Sequence, residues 1–358
     1  MLPTLKVSSG KTLLISGPAS AKLVEGTATV LGAPVEIGNR IVVGEEKQVP
    51  IFMSEDSIFD CSFGERASHV EVNGNTIPTS WREATDAILE LDGSKTIVIG
   101  DIDTGKSTFC TYIANLTIAS GTDIWVLDAD IGQSDLGPPT TISLGLANDY
   151  LTNLSSIKAD RMFFVGYTSP SSVTEKVIFG IRKLASHAYP PPLVINTDGW
   201  VADDQAAGYK VKMINELAPD IVVGIEREHE VDAILDSSNV MSIRIQPPDF
   251  VKPRSREQRK RLRENGYRRF LADAKTIALP VNMVKTVSAI HLEKRENLIA
   301  GLLDSDGFLL GIGILKEIDG KRRVAKIYSP QVAELASLEI GAVRISESGK
   351  EVVEPEIY

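Results

Sequence analysis

The chain has 358 residues, enough for two to three domains at roughly 150 residues each. Hydrophobic residues make up 43%, charged residues 24% and aromatics 6%, which excludes a disordered, collagen-like or fibrous chain, while two cysteines exclude a disulfide scaffold or thiolate zinc site and suit a reducing, cytoplasmic setting. The net charge of -10 argues against a general nucleic-acid coating protein, and no apolar run reaches the ~18 residues of a membrane span, so no membrane partner is expected.

The first residues, MLPTLKVSSGKTLLISG, lack the charged start and apolar run of a signal peptide. Residues 1–80 then read as short strands, such as 12–15, 28–31 and 40–43, punctuated by glycines, which predicts an N-terminal β-sandwich or barrel. Ser80 followed three residues later by Glu83 predicts a capping box that opens a helix running to about Leu91 and ended by Gly93.

From Lys95 the pattern alternates: TIVIG, a helix over 106–120, IWVLD, RMFFVG, a helix over 174–186, PLVIN, a helix over 205–217, DIVVGI. Such alternation predicts an α/β region, 81–276, built on a central parallel sheet with helices on both faces. Residues 252–269 carry nine basic side chains (Lys252, Arg254, Arg256, Arg259, Lys260, Arg261, Arg263, Arg268, Arg269) against Glu257 and Glu264, a local +7, and a helix is expected over 253–275. Everything else carries -17. From 277 to 358 glycine-punctuated strands such as GFLLGIGIL return, predicting a C-terminal β-rich domain.

Gly100, Asp101, Ile102, Asp103, Thr104, Gly105, Lys106 and Ser107 fit the pattern G-x4-G-K-[ST] between a predicted strand and helix, with Thr108 following. There the loop amides and helix N-terminus would hold the phosphates of a nucleotide, Lys106 would bridge the outer two and Ser107 would ligand Mg²⁺. One helix later, Asp128 and Asp130 stand two apart at a strand end and would point to the same side if the strand persisted. One carboxylate could enter the magnesium shell and the other accept a proton from an attacking hydroxyl. Arginines at helical spacing, including Arg256, Arg259 and Arg263, could place positive charge over a γ-phosphate. GYTSP (166–170) and NTDGWV (196–201) each follow a predicted strand on the same edge, and Trp200 could stack on a base. The histidines His69, His187, His229 and His291 show no ligand spacing.

In order and spacing, GDIDTGKST, DADIGQSDLGPP, GYTSP, INTDGWV and RSREQRKRLRENGYRRF resemble the polynucleotide 5′-hydroxyl-kinase family, which includes archaeal RNA kinases and the kinase subunit of eukaryotic mRNA 3′-end and tRNA-splicing complexes. The resemblance covers about residues 95–275, and its flanking β regions match that family in architecture only. It implies transfer of the ATP γ-phosphate to the 5′-hydroxyl of RNA or DNA, with RNA-processing partners. Asp130 matches the general base, which leaves Asp128 for the metal. Gln133 lies beside the site, Thr168 and Trp200 match the clasp on the terminal nucleotide, and Arg259 and Arg263 best match the lid, with Arg256 a third candidate. One departure is ADDQAAGYK, where a glycine-rich turn is expected and Asp203 and Asp204 would repel a nucleic-acid backbone. A non-catalytic ATP-binding scaffold subunit is the alternative. A GTPase is disfavoured because no N-K-x-D segment follows the strands, and a small-molecule enzyme because the basic helix is long for one metabolite.

Overall fold

In chain order the strands β1 (Thr4–Val7), β2 (Lys11–Ser16), β3 (Ala19–Glu25), β4 (Ala28–Val30), β5 (Ala33–Val35), β6 (Arg40–Val43), β7 (Gln48–Met53), β8 (Ser57–Phe63) and β9 (Ser68–Asn73) come first. There follow α1 (Thr79–Leu89), β10 (Lys95–Gly100), α2 (Lys106–Ala119), β11 (Ile124–Ala129), β12 (Thr141–Ala147), β13 (Arg161–Phe164) and α3 (Thr174–Ala185). Next are β14 (Leu193–Thr197), α4 (Asp204–Leu217), β15 (Ile221–Ile225), α5 (Asp232–Leu235), β16 (Met241–Ile245) and α6 (Arg256–Phe270). Strands β17 (Lys275–Pro280), β18 (Val284–Thr286), β19 (Leu298–Leu303), β20 (Leu309–Asp319), β21 (Val324–Ser329) and β22 (Ser337–Arg344) complete the chain of this computed structural model, which describes residues 3–190, 192–251, 253–286 and 296–352. Lys252 and His291 lie outside the described residues. Two compact units emerge, one of Met1–Val126, Leu146–Ile157 and Tyr189–Pro253, the other of Leu127–Gly145, Lys158–Ala188 and Arg254–Tyr358.

The first unit begins with two antiparallel sheets, ordered β1-β8-β3-β6 and β5-β4-β7-β2-β9. Alternation makes them: β7 (QVPIFM) buries every second residue, with Val49, Ile51 and Met53 inward, and β8 does the same with Ser57, Phe59 and Cys61. Strands β14, β10, β15 and β16 pair in parallel in that order, with Ile97 opposite both Ile195 and Val222. Their sequences are nearly continuous apolar runs because strands of a parallel sheet are covered on both faces, and β14 and β15 are buried at every position. Helix α2 packs on β10 and β14. At its middle the fully buried Asn115 amide donates to the carbonyls of Leu31 and Leu151, each at 2.9 Å, and its oxygen accepts from the Leu151 amide at 2.8 Å.

The expected capping box at Ser80 does not form. Pro78 occupies the N-cap of α1 with no side-chain cap, and the Ser80 hydroxyl instead accepts from the Gln246 amide at 3.3 Å. A proline fixes φ where a helix starts, so the helix begins one residue before the serine. The capping box occurs at α6 instead, between Ser255 and Gln258.

In the second unit β12 pairs antiparallel with β13 through residues 141–144, and β17-β21-β20-β19-β22-β18 form a six-stranded sheet. One apolar cluster joins Ile299, Leu309, Ile312 and Ile314 of the sheet to Phe164 and to Tyr267 and Leu271 at the end of α6. The other, around Leu298, Ala300, Leu315, Ile327 and Leu338, lies within the sheet's own elements. Cys61 and Cys110 are buried and not disulfide-bonded, and burial pushes the Cys61 thiol up to about 11. No helix among the described residues is long and apolar enough to cross a membrane.

Candidate active site

The phosphate loop lies wholly in the first unit, where the sequence puts it: β10 ends at Gly100 and α2 begins at Lys106. Asp103 (φ 55°) and Gly105 (φ 97°) turn left-handed within it, a geometry that gathers successive backbone N–H groups at the helix N-terminus. Asp101 braces the turn. Its carboxylate accepts from the Ile102 amide at 2.7 Å, and its carbonyl accepts from the Thr104 hydroxyl at 2.8 Å and the Lys106 ammonium at 2.7 Å. Lys106, 6% exposed, is therefore folded across the loop it is expected to serve. Buried Trp81 of α1 lies against Gly105, donates its indole N–H to the Gln246 carbonyl at 2.8 Å and meets Phe109 of α2 edge-on at 5.0 Å. Thr108, half-buried, stands in the first turn of α2.

The Ser107 hydroxyl accepts from the side-chain amide of Asn196 at 3.2 Å. Asn196 is buried in β14, and sequence reasoning assigned it nothing, although it stands in the segment that supplied Trp200. Beyond β14 the chain passes so close to the phosphate loop that a Cβ on Gly199 would lie 2.8 Å from the Ile102 nitrogen and 2.9 Å from its Cα. Only glycine fits there. Half-buried Trp200 follows at once, its ring stacked on Tyr209 at 5.8 Å and its indole N–H donating to Asp203 at 2.8 Å. Asp203 is also the N-cap of α4, accepting from the Ala206 amide at 2.8 Å, and Asp204 occupies the first turn. The acidic pair thus complements the positive end of a helix. Hydrogen bonds from Ala206 and then from Trp200 hold the Asp203 carboxyl below the usual carboxylate range.

The remaining candidates belong to the second unit. Asp128 and Asp130 do not share a strand face, because β11 ends at Ala129. Fully buried Asp128 accepts from the Ser134 hydroxyl (3.1 Å) and from the amides of Asp135 (2.6 Å), Leu136 (3.2 Å) and Asp130 (3.3 Å), so it organises the loop that follows it. Half-buried Asp130 accepts from the amides of Gly132 (3.2 Å) and Gln133 (3.0 Å) through Oδ1. The Gln133 side-chain amide donates to the carbonyls of Gly132 (2.8 Å) and Arg259 (3.4 Å), which brings α6 to this loop. A Cβ on Gly132 would lie 2.8 Å from the Thr168 carbonyl, so the Asp130 and Thr168 loops touch through their backbones. Asp130, Gln133, Thr168 and Arg259 are accordingly neighbours within one unit.

Arg259 and Arg263 are half-buried on α6, whereas Arg256 is exposed in its first turn. The Arg259 guanidinium donates to the Arg254 carbonyl. Arg263 makes a two-pronged pair with Glu351, its Nη2 at 2.9 Å from Oε2, and this carboxylate holds the guanidinium above its ordinary pKa. Nothing local in the sequence announces Glu351, 88 residues away.

The donors present suit a nucleotide: a nest of loop amides, a lysine and a hydroxyl at a helix start. Among the described residues no three His, Cys, Asp or Glu side chains are grouped to hold a metal. Mg²⁺ in phosphoryl transfer requires no such group, since phosphate oxygens and waters complete its shell around one or two protein ligands.

Residues 100–273 match the family model described as mRNA cleavage and polyadenylation factor CLP1 P-loop. Over 80% of this chain and 98% of the relative, the sequence is 25% identical to a polyribonucleotide 5′-hydroxyl-kinase of Pyrococcus abyssi. It is 32% identical to the polynucleotide 5′-hydroxyl-kinase GRC3 of Yarrowia lipolytica, over 49% of this chain and 32% of that one. The solved Clp1p structure, in complex with Pcf11p residues 454–563, superimposes with a TM-score of 0.76 over 96% of this chain and 98% of that one at 12% identity, a likeness of fold.

Proposed function

We propose that the chain, whose residues 100–273 match the CLP1 P-loop family model, is an ATP-dependent polynucleotide 5′-hydroxyl-kinase acting on RNA ends, with DNA ends as a second acceptor. The observation that carries this reading is the packing of the loop at Gly199, the residue before Trp200, onto the phosphate loop at Ile102. A stacking residue next to a phosphate-binding loop is what an enzyme needs to hold a nucleic-acid end against a phosphoryl donor.

In this reading bound ATP supplies the γ-phosphoryl group and Mg²⁺ neutralises charge on its oxygens. The amides of residues 100–108 would hold the phosphates with Lys106 at the outer two, and Ser107 and Asp128 would be the metal's protein ligands. Asp128 combines that duty with bracing its own loop. Asp130 takes the proton from the 5′-hydroxyl, and the Gly132 and Gln133 amides hold its Oδ1 in place. Gln133 aligns Asp130 with α6, Thr168 and Trp200 clasp the terminal nucleotide, and Arg259 and Arg263 stabilise charge that develops on the moving phosphoryl group.

The reading extends to the architecture, with residues 1–80 and 277–358 as β domains flanking the kinase region 81–276. It extends also to a cytoplasmic setting, supported by two buried cysteines that form no disulfide, and to RNA-processing partners. Labelled ATP incubated with matched 5′-hydroxyl RNA and DNA oligonucleotides tests it. Label on the 5′ end is expected with the wild-type protein and not with Lys106→Ala. ATP binding without transfer to either oligonucleotide would support a scaffold instead.

A further inference from the structure

A buried ionic network lies under Trp200. Lys210, fully buried on α4, places its ammonium 2.9 Å from Asp198 Oδ2 and 2.9 Å from the Asp198 carbonyl. The Tyr209 hydroxyl donates to the same Oδ2 at 3.0 Å, and Asp198 Oδ1 accepts from the Trp200 amide at 3.0 Å. Asp198 and Tyr209 are themselves 4% and 3% exposed.

Burying a lysine and an aspartate together brings little stability relative to apolar residues of the same size, because desolvation offsets their attraction. What such a pair offers is geometry. Asp198 ties the Trp200 backbone at one oxygen and Tyr209 at the other, and Tyr209 in turn covers one face of the indole. The indole N–H is fixed separately by Asp203. Trp200 is thus held at its backbone, one ring face and its ring edge, while it stays half-exposed, and Gly199 presses the same loop on Ile102.

We infer that Asp198, Tyr209 and Lys210 are positioning residues that hold the Trp200 ring at a fixed place beside the phosphate loop, with the face opposite Tyr209 presented to the terminal base of the acceptor. This rests on the proposed kinase reading and deepens it. Orienting the ring before the acceptor arrives removes an ordering cost from binding, so the network acts on acceptor capture and not on ATP.

Steady-state transfer to a short 5′-hydroxyl RNA, with the KM for ATP and for RNA determined separately in the full chain, tests this. Trp200→Ala is expected to raise the RNA KM about 5- to 100-fold, the loss of one stacked base. Tyr209→Phe, which keeps the ring and loses one hydrogen bond, should raise it about 2- to 5-fold. The double variant Asp198→Asn/Lys210→Met removes both charges at once, so neither is left buried alone, and should raise it about 5-fold or more. Tyr209→Phe and the double variant should leave the ATP KM and kcat within about 2-fold. Combined with Trp200→Ala, neither Tyr209→Phe nor the double variant should raise the RNA KM further, because residues that act through Trp200 have nothing left to position. Equal rises in both KM values, or effects that multiply with Trp200→Ala, would mean a structural role only and overturn the inference. A wild-type RNA KM in Tyr209→Phe and the double variant would overturn it while leaving the kinase reading intact. No transfer by the wild-type protein would overturn both.

Discussion

Removing Arg263 should damage the protein twice, and the two losses can be separated. Both partners of the Arg263–Glu351 pair are mostly buried, with side-chain exposures of 19% and 16%. Exposed pairs are worth roughly 0.2–1 kcal/mol, and deleting one member of a fully buried pair costs about 3–5. A pair four-fifths buried with two charge-assisted bonds falls between them, so Arg263→Ala should lose about 2 kcal/mol. For a domain of a few hundred residues that is a fall of about 4–8 °C in apparent Tm. Glu351→Ala deletes the other partner and should give a similar fall, but it leaves the arginine for the γ-phosphate, so kcat should hold or rise. Arg263→Ala should lower kcat at least 10-fold with ATP affinity nearly intact. Thermal melts of both variants beside single-turnover transfer would decide. If Glu351→Ala melts with the wild type, the pair contributes nothing to stability. If it loses kcat as Arg263→Ala does, then Glu351 and not the phosphate is the arginine's working partner.

Asp130→Asn should lower the chemical step roughly 100-fold or more with ATP binding preserved, as for loss of a general base, whereas Asp128→Asn should also destabilise the 130–136 loop by about 1–3 kcal/mol. Rapid-quench transfer and melting curves read the two, and equal melts would contradict the loop-bracing role of Asp128. Gly199→Ala drives a Cβ into the Ile102 backbone and should weaken ATP and RNA together, unlike Trp200→Ala, which isothermal titration with ATP alone would check. Because Asp203 titrates lower in the folded chain than the ~3.9 of a free aspartate, its contribution is fully present above about pH 4 and is lost as pH falls through the folded value. Trp200 emission, taken as the difference from Trp200→Phe, should change across that acid edge in the wild type and not in Asp203→Asn.

The phosphate loop was legible to the residue because its chemistry is local: the spacing of Gly100, Gly105, Lys106 and Ser107 itself requires a strand before and a helix after. The short glycine-punctuated strands of 1–80 and the apolar runs of β10, β14 and β15 were legible for the same reason. Ser80 and Glu83 misled because a serine three residues before a glutamate is equally at home inside a helix that Pro78 has already started. The same-face reading of Asp128 and Asp130 failed because nothing in DADIG marks where the strand stops. What stayed hidden was whatever long-range pairing creates. Asn196 on Ser107, Glu351 on Arg263 and Trp81 against Gly105 join residues with no shared periodicity. Lys210, in the helix expected over 205–217, gave no sign that its charge would be buried.

Asn115 has a bearing on how the protein can be cut. Its side chain joins the middle of the nucleotide-binding helix to the carbonyl that follows β4, inside a single compact unit. A fragment that began after β9 would take the Leu31 acceptor from Asn115, leaving it only Leu151, and would wet the flank of α2 that faces Gly32. Losing such a hydrogen bond costs about 0.5–1.5 kcal/mol, on top of the apolar surface exposed. The N-terminal strands therefore serve as part of the scaffold that keeps the phosphate loop in shape, and a minimal catalytic fragment of this chain has to include them.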